Sequence, residues 1–171
     1  MWTGLYGFWM GKMMKRIEIN ETFTLQIPDS FEVLTEDDLR GMYRNAGDPF
    51  RWGVRDTENH VIITALWKQY PALLSWTLDL KAIVKKNEQL TGRAHAAHGY
   101  RFLEFFSMQA GEEKAEGYRF FYDKEGITQV CNNCLIKDGR TIYAFMCVGR
   151  EKNMDADRET FRRIMETLEY A

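Results

Sequence analysis

The chain has 171 residues, a length at which one domain can bury an adequate core while two domains would each have a marginal one. A hydrophobic share of 45% beside 28% charged residues is typical of an ordered globule and argues against disorder. The formal net charge of -2 gives no general attraction to phosphate backbones or anionic membranes, so nucleic acid is not an expected partner.

Cysteine usage and the amino end indicate the compartment. Three cysteines are an odd number and cannot form a complete disulfide framework, so we expect reduced thiols and a cytoplasmic protein. The apolar first ten residues lack the basic region and the small-residue cleavage site of a signal peptide. No apolar run reaches the roughly 20 residues that span a bilayer, so we expect no membrane insertion.

Residues 1–14 form an aromatic extension ahead of a single predicted domain at residues 15–171. Trp2, Tyr6, Phe8 and Trp9 are too apolar to be left together in water. Two interpretations stay open. These side chains dock on their own domain, or they form an arm that binds a partner or a second copy of the chain, which makes a homodimer possible.

The first elements of the domain are predicted from alternation and capping. Phe23–Ile27 alternates apolar and polar residues and stops at Pro28, as a half-buried strand does. Thr35 precedes three acidic residues, which is typical of a helix N-terminus, and the apolar residues that follow predict a helix that Gly47 closes.

A hairpin and a long helix follow. Residues 50–55 and 60–68 predict two strands around a turn at 56–59, and the unbroken apolar run 61–67 indicates an interior strand. Pro71 predicts the start of the longest helix, and Gly92 its end, with residues 93–98 as a loop. The predicted core stripe of this helix consists of Leu73, Trp76, Leu80, Ile83, Val84 and Asn87.

The segment from Gly99 to Gly149 predicts an antiparallel meander, around which the rest of the chain is organised. Its last hairpin joins 127–136 to 141–148, and a turn at Asp138 and Gly139 would place Ile136 opposite Thr141, Cys134 opposite Tyr143 and Cys131 opposite Met146. Both faces of this hairpin are apolar, so the sheet needs cover on both sides.

The last predicted element is a helix capped by Asp155 or Asp157. Its apolar side chains recur at helical spacing and predict one buried face, formed by Phe161, Ile164, Met165 and Leu168. The predicted fold class is therefore α+β, with an antiparallel sheet between helices (α/β/α).

The order of these elements and three segments resemble the PsbP-like superfamily. The segments are FTLQIP at 23–28, GRTIY at 139–143 and FRRIMETL at 161–168, and the resemblance covers residues 16–170. This superfamily includes the photosystem II extrinsic protein, a Ran-GTPase-binding nuclear import factor and bacterial domains of unassigned role, some of them secretion-effector chaperones. The resemblance implies an antiparallel sheet between helices, and it implies no shared catalytic set.

Two groups of residues resemble ligand sites. Cys131 and Cys134 are spaced like a redox or metal pair, but no helix follows them, and residues three apart on a regular strand point to opposite faces. We therefore expect the cysteines to be small sheet residues, with metal binding by Cys131 and Cys134 as the alternative. His95 and His98 lie between two glycines and are expected in an exposed loop.

The chain presents no catalytic constellation and no phosphate-binding loop, so we expect no cofactor. The expected function is a non-enzymatic cytoplasmic binding domain whose partner is a protein, in the role of an adaptor or chaperone-like module. The alternative is a small-molecule-binding or enzymatic domain that uses a cavity between sheet and helix.

Overall fold

The computed structural model describes residues 11–43 and 50–171. Its helices are α1 (Glu36–Met42), α2 (Ala72–Ser75), α3 (Leu80–Ala94) and α4 (Met154–Glu166), and short 3-10 helices lie at Ala96–His98 and Glu151–Asn153. Its strands are β1 (Met14–Glu18), β2 (Phe23–Pro28), β3 (Glu32–Val33), β4 (Phe50–Asp56), β5 (Val61–Gln69), β6 (Arg101–Ala110), β7 (Glu113–Lys124), β8 (Ile127–Asp138), β9 (Thr141–Arg150) and β10 (Glu169–Tyr170).

These strands form two antiparallel sheets. The large sheet has seven strands in the order β3-β4-β5-β9-β8-β7-β6, so the meander β6–β9 joins the hairpin β4–β5 through the pairing of β5 with β9. The small sheet has the order β1-β2-β10. The two edges of the large sheet are β3, which has two residues, and β6, which has ten.

Each face of the large sheet has its own apolar cover. One face packs against α4 and the small sheet, in a core that includes Phe23, Ile63 and Phe161. The other face packs against α3, in a core that includes Val84 and Phe120. The predicted fold class, an α+β protein with an antiparallel sheet between helices, is thereby confirmed, and so is the need for cover on both sides.

Local signals explain the first helix and the first hairpin. Thr35 caps α1 by accepting a hydrogen bond from the backbone of Asp38, whose carboxylate in turn accepts one from the backbone of Thr35. The β4–β5 turn is held by Asp56, which accepts hydrogen bonds from the backbone and side chain of Asn59. Helix α1 ends at Met42, earlier than predicted, and Gly47 lies outside the described residues.

The predicted register of the β8–β9 hairpin is wrong by two residues. The turn consists of Gly139 and Arg140, so Ile136 pairs with Tyr143 and Asp138 pairs with Thr141. Gly139 supplies a positive φ of 55°, whereas Arg140 does not, which suits a turn with glycine at its first position. Because the error is an even number of residues, every side chain keeps its predicted face.

The long helix predicted from Pro71 is wrong in its extent. It is broken into α2 and α3, because Asp79 starts a new helix by accepting a hydrogen bond from the backbone of Lys81. Gly92 does not end α3, which continues to Ala94, and much of the predicted loop at 93–98 is therefore helical.

The predicted cap of α4 is also wrong. The helix follows the 3-10 turn at Glu151–Asn153, and Asn153 occupies the N-cap position without a side-chain hydrogen bond. Asp157 is instead buried in the first turn, against Gly149 of β9. The predicted apolar face of α4 is confirmed by the burial of Phe161, Ile164, Met165 and Leu168.

Candidate functional site

The edge strand β6 exposes three large apolar side chains next to one another. Phe102, Leu103 and Phe105 are 43%, 41% and 48% exposed, and the ring centres of the two phenylalanines are 4.8 Å apart. A contiguous apolar patch on the surface is typical of an interaction site, whereas single exposed apolar residues are not.

A β-bulge explains why these side chains gather. Phe102 pairs with Phe120 of β7, and Glu104 pairs with Arg119, so Leu103 is an extra residue in β6. The extra residue brings Phe102 and Phe105 to the same face. Residues 104–110 pair regularly with β7, and among the described residues no strand pairs with their other side. This stretch is an open template for a further strand.

Arg119 fixes the middle of β6 to the sheet. Its buried guanidinium donates hydrogen bonds to Glu104 and Asn132 and lies 4.9 Å from the ring centre of Phe106. Burial lowers the pKa of Arg119, and the carboxylate of Glu104 opposes this effect. The open edge is therefore attached to the sheet through side chains as well as through its backbone.

A groove of about 460 Å³ separates β6 from α3. Its walls include Lys81, Val84, Lys85, Phe105, Ser107 and Glu116. Ser107 donates a 2.5 Å hydrogen bond to Glu116, and Lys114 lies 3.2 Å from the same carboxylate. Burial raises the pKa of Glu116, but the hydrogen bonds from Ser107 and Lys114 outweigh this effect and lower the pKa overall. The carboxylate of Glu116 is therefore charged, and its charge is balanced by these donors. Lys85 has no ion pair within the part of the chain that the structure describes.

Helix α2 forms a second exposed apolar surface. Leu73 and Trp76 are 91% and 90% exposed, so their predicted place in the core is wrong. The ammonium of Lys137 donates a hydrogen bond to the carbonyl of Ser75, which holds α2 against the β8–β9 hairpin. Helical spacing predicts one continuous stripe, whereas the break after α2 separates Leu73 and Trp76 from the covered residues of α3.

A larger cleft, of about 690 Å³, lies where α3 leaves the large sheet uncovered. Its lining includes Tyr43, Arg55, Ile62, Lys124, Val148 and Arg150. Tyr43 closes one side and donates a 2.7 Å hydrogen bond to Thr64. Burial raises the pKa of Tyr43, and it raises that of Tyr122 to about 12, so both phenols are neutral. The cleft combines an apolar floor with basic side chains.

The four aromatic residues predicted to bind a partner, Trp2, Tyr6, Phe8 and Trp9, lie outside the described residues. Their role therefore stays a prediction. The domain boundary at residues 14 and 15 also stays a prediction.

The structure separates the predicted cysteine pair. Cys131 lies in the core on the α3 side of the large sheet, and Cys134 and Cys147 lie in the core on the other side. All three are buried free thiols, and burial raises the pKa of each, that of Cys134 to about 12. Cys131 and Cys134 cannot bind one ion in this arrangement, since the sheet lies between them.

The two histidines do not form a ligand unit either. His95 is half-buried, with Nδ1 3.1 Å from the carbonyl of Thr91, and His98 is exposed. Within residues 11–43 and 50–171 no group of three or more histidine, cysteine or acidic side chains is arranged to hold a metal ion. In the same ranges no helix is both long enough and apolar enough to cross a membrane.

Comparison with solved structures identifies the architecture. The cyanobacterial PsbP of Synechocystis sp. PCC 6803 matches with a TM-score of 0.62, 9% identity and coverage of 92% of each chain. The Ran-binding protein Mog1p of Saccharomyces cerevisiae matches with a TM-score of 0.57 and 12% identity, over 93% of this chain and 96% of that one. The fold is PsbP-like.

The PsbP-like fold also occurs as part of a longer protein. A Bacteroides thetaiotaomicron structure matches with a TM-score of 0.53 and 8% identity, over 87% of this chain but 45% of the other. By sequence, neither a known family nor a curated protein matches. At these identities the likeness establishes the PsbP-like fold and carries no residue role with it.

The sequence analysis predicts neither the apolar patch on β6 nor the basic cleft. It places Phe102 and Phe105 in a strand of the meander and gives no role to Lys124 or Arg150. The available signal was the segment FLEFF at 102–106, which breaks the alternation expected of a half-buried strand.

Proposed function

We propose that this chain is a non-enzymatic protein-binding module that receives an extended segment of its partner along β6. The observation that carries the proposal is the open edge of β6 with the exposed side chains of Phe102, Leu103 and Phe105 beside it. In such binding the main-chain hydrogen bonds of the added strand provide affinity, and pockets for its alternate side chains provide specificity.

The groove beside β6 defines the chemistry of the segment. Phe105 and Val84 offer apolar contacts, while Lys81 and Lys85 line the helical wall. An extended segment that alternates apolar and acidic side chains would pair with the strand and place its carboxylates near these lysines. The comparison with a Ran-binding protein of the same fold supports a protein partner.

Two further parts of the proposal rest on the sequence. Buried thiols without disulfides are compatible with a reducing compartment, which supports a cytoplasmic location. The aromatic residues Trp2, Tyr6, Phe8 and Trp9 are proposed as a contact to the domain or to a second copy of the chain.

A capture experiment with matched variants tests the proposal. Phe105→Asp places a charge in the patch on β6, and Leu73→Asp makes the same chemical change on the exposed surface of α2. Crosslinked capture from native extract should recover one partner with the wild type and with Leu73→Asp. Capture by Phe105→Asp should fall at least about tenfold, the loss typical of a central apolar contact.

Amide hydrogen exchange on the complex locates the interaction. The partner should protect residues 104–109, because their unpaired backbone groups would then be hydrogen-bonded. Equal capture by the two variants, or protection confined to other elements, would contradict binding along β6.

A further inference from the structure

We propose that the cleft between α1 and the uncovered part of the large sheet binds a small amphipathic organic anion. The ligand has an apolar body, which rests on the sheet, and one terminal carboxylate or similar anionic group. This inference concerns a different surface from β6 and does not rest on the proposed protein-binding function.

The floor of the cleft is apolar because of the register of the large sheet. Ile62 of β5 pairs with Val148 of β9, and Thr64 pairs with Met146, so these side chains project from the same face in two adjacent rows. Ile62, Met146 and Val148 remain half-buried because α3 covers the sheet farther along. The cavity of about 690 Å³ lies within the range of small-molecule sites.

The basic wall also follows from the register. Tyr122, Gln129 and Arg150 are consecutive partners across β7, β8 and β9, so their side chains form one row on the floor's face. Lys124 lies two residues beyond Tyr122 on that face, roughly 7 Å along the strand. The long side chains of Lys124 and Arg150 can therefore converge on one group.

Among the described residues, neither Lys124 nor Arg150 makes an ion pair, whereas Arg55 on the far side of the cleft lies 3.8 Å from both Glu32 and Asp38. The buried carboxylate of the cleft, Asp56, already accepts hydrogen bonds from other residues.

Asp56 accepts hydrogen bonds from Asn59 and from the hydroxyl of Ser30. Among the described residues Asp56 makes no ion pair with Lys124 or Arg150. An anion beside these two cations would gain charge-assisted hydrogen bonds that no described residue now provides.

Tyr43 gives the cleft its remaining wall. Its hydroxyl donates a hydrogen bond to Thr64 of β5, and Tyr122 lines the cleft from β7, three strands farther across the sheet. A ligand whose apolar body lies between the two aromatic rings can pack on the apolar floor. Its charged end, pointing toward the β4–β5 turn, then contacts the two cations. A neutral ligand of the same shape would leave the cations unpaired.

Two probes with the same phenyl and alkyl body, one ending in a carboxylate and the other in a neutral hydroxyl group, test the inference. The wild-type protein, labelled with 15N, is titrated by NMR with 4-phenylbutyrate and with 4-phenylbutan-1-ol. We expect saturable shifts from 4-phenylbutyrate at amides within 60–64, 122–129 and 146–150. The alcohol should bind about tenfold more weakly, because it carries no negative charge to pair with Lys124 and Arg150.

Charge-neutral variants identify the residues responsible. Arg150→Gln, Lys124→Gln and the double variant should each weaken 4-phenylbutyrate binding, by about tenfold or more for the double variant. The alcohol should bind all of them within about twofold of the wild type. Lys86→Gln on the exposed face of α3 is the control for net charge and should change neither titration.

Each alternative outcome overturns the inference. These outcomes are equal binding of the two probes, an equal loss with Lys86→Gln, shifts confined to β6 or α2, and no saturable shift in the cleft. Phe105→Asp should leave the titration unchanged, so failure at the cleft and failure of the proposed function are read separately.

Discussion

The buried carboxyl of Asp157 predicts that one conservative substitution stabilises the protein at neutral and alkaline pH. Asp157 lies in the first turn of α4 against Gly149, and its buried Oδ2 has no hydrogen-bond partner among residues 11–43 and 50–171. Burial raises the pKa of Asp157 from 3.8 to about 7, and the negative charge of Asp56 adds to the effect. We expect Asp157→Asn to remove this cost.

The sign follows from proton binding. Between about pH 4 and pH 7 the folded protein retains a proton that the unfolded chain has released, so the free energy of unfolding falls as pH rises. The stability that depends on the protonated carboxyl of Asp157 is therefore fully present below about pH 4 and is lost above about pH 7, where the buried carboxylate destabilises the fold. A shift of about three units corresponds to at most about 4 kcal/mol.

Two effects reduce the expected gain. Local relaxation and water entry lower the cost of the buried charge. The amide also loses the favourable interaction of a carboxylate with the helix N-terminus, which is about 0.3–1 kcal/mol. The net expectation for Asp157→Asn is a gain of about 1–3 kcal/mol near pH 8 and no more than about 0.5 kcal/mol near pH 4.

Urea unfolding at several pH values measures this difference directly. Asp155→Asn is the matched control, because Asp155 lies in the same turn but is exposed and pairs with Arg158 at 3.4 Å. The control should change the free energy of unfolding by less than about 1 kcal/mol. A loss of stability in Asp157→Asn near pH 8, or a gain that is independent of pH, would refute the reasoning.

Three more predictions concern packing, thiols and the amino-terminal extension. Gly111→Ala should lower the free energy of unfolding, measured in urea, by about 2–4 kcal/mol, because Gly111 has a φ of 57° and a Cβ there would overlap the carbonyl of Leu168. Gly126→Ala is the control, with positive φ but open space around it, and should cost about 1 kcal/mol. The three cysteines should react with a thiol reagent only after unfolding, since they are buried with raised pKa values, and rapid labelling of the native protein would contradict this. Deleting residues 1–12 should lower the melting temperature and leave the oligomeric state, measured by light scattering, unchanged, whereas conversion of a dimer to a monomer would make the extension a dimer contact.

The sequence predicts those elements whose ends are set by hydrogen bonds between residues close along the chain. The cap at Thr35, the turn after Asp56 and the stripe of α4 all depend on residues close in sequence, and the structure contains each of them. Asp79 is a missed signal of the same kind, because an N-cap within a supposed helix predicts a break.

The candidate surfaces depend on contacts that local patterns do not contain. The meander was predicted, but nothing in it reveals that β5 pairs with β9 and so leaves β6 as the edge. Similarly, helical spacing predicts Leu73 and Val84 on one stripe, yet Leu73 lies on α2 and is exposed, while Val84 of α3 is covered by the sheet. Exposure is a property of the assembled layers, so spacing alone, including the broken alternation at 102–106, does not reveal which surfaces stay open.

The arrangement of the small sheet constrains when the chain can fold during synthesis. β2 lies between β1 and β10, and its Phe23, Leu25 and Ile27 share one core with α4. Residues 154–170 are translated more than a hundred residues after β2. This half of the core must therefore wait for the last elements to leave the ribosome, and a nascent chain stalled before α4 should expose it to chaperones.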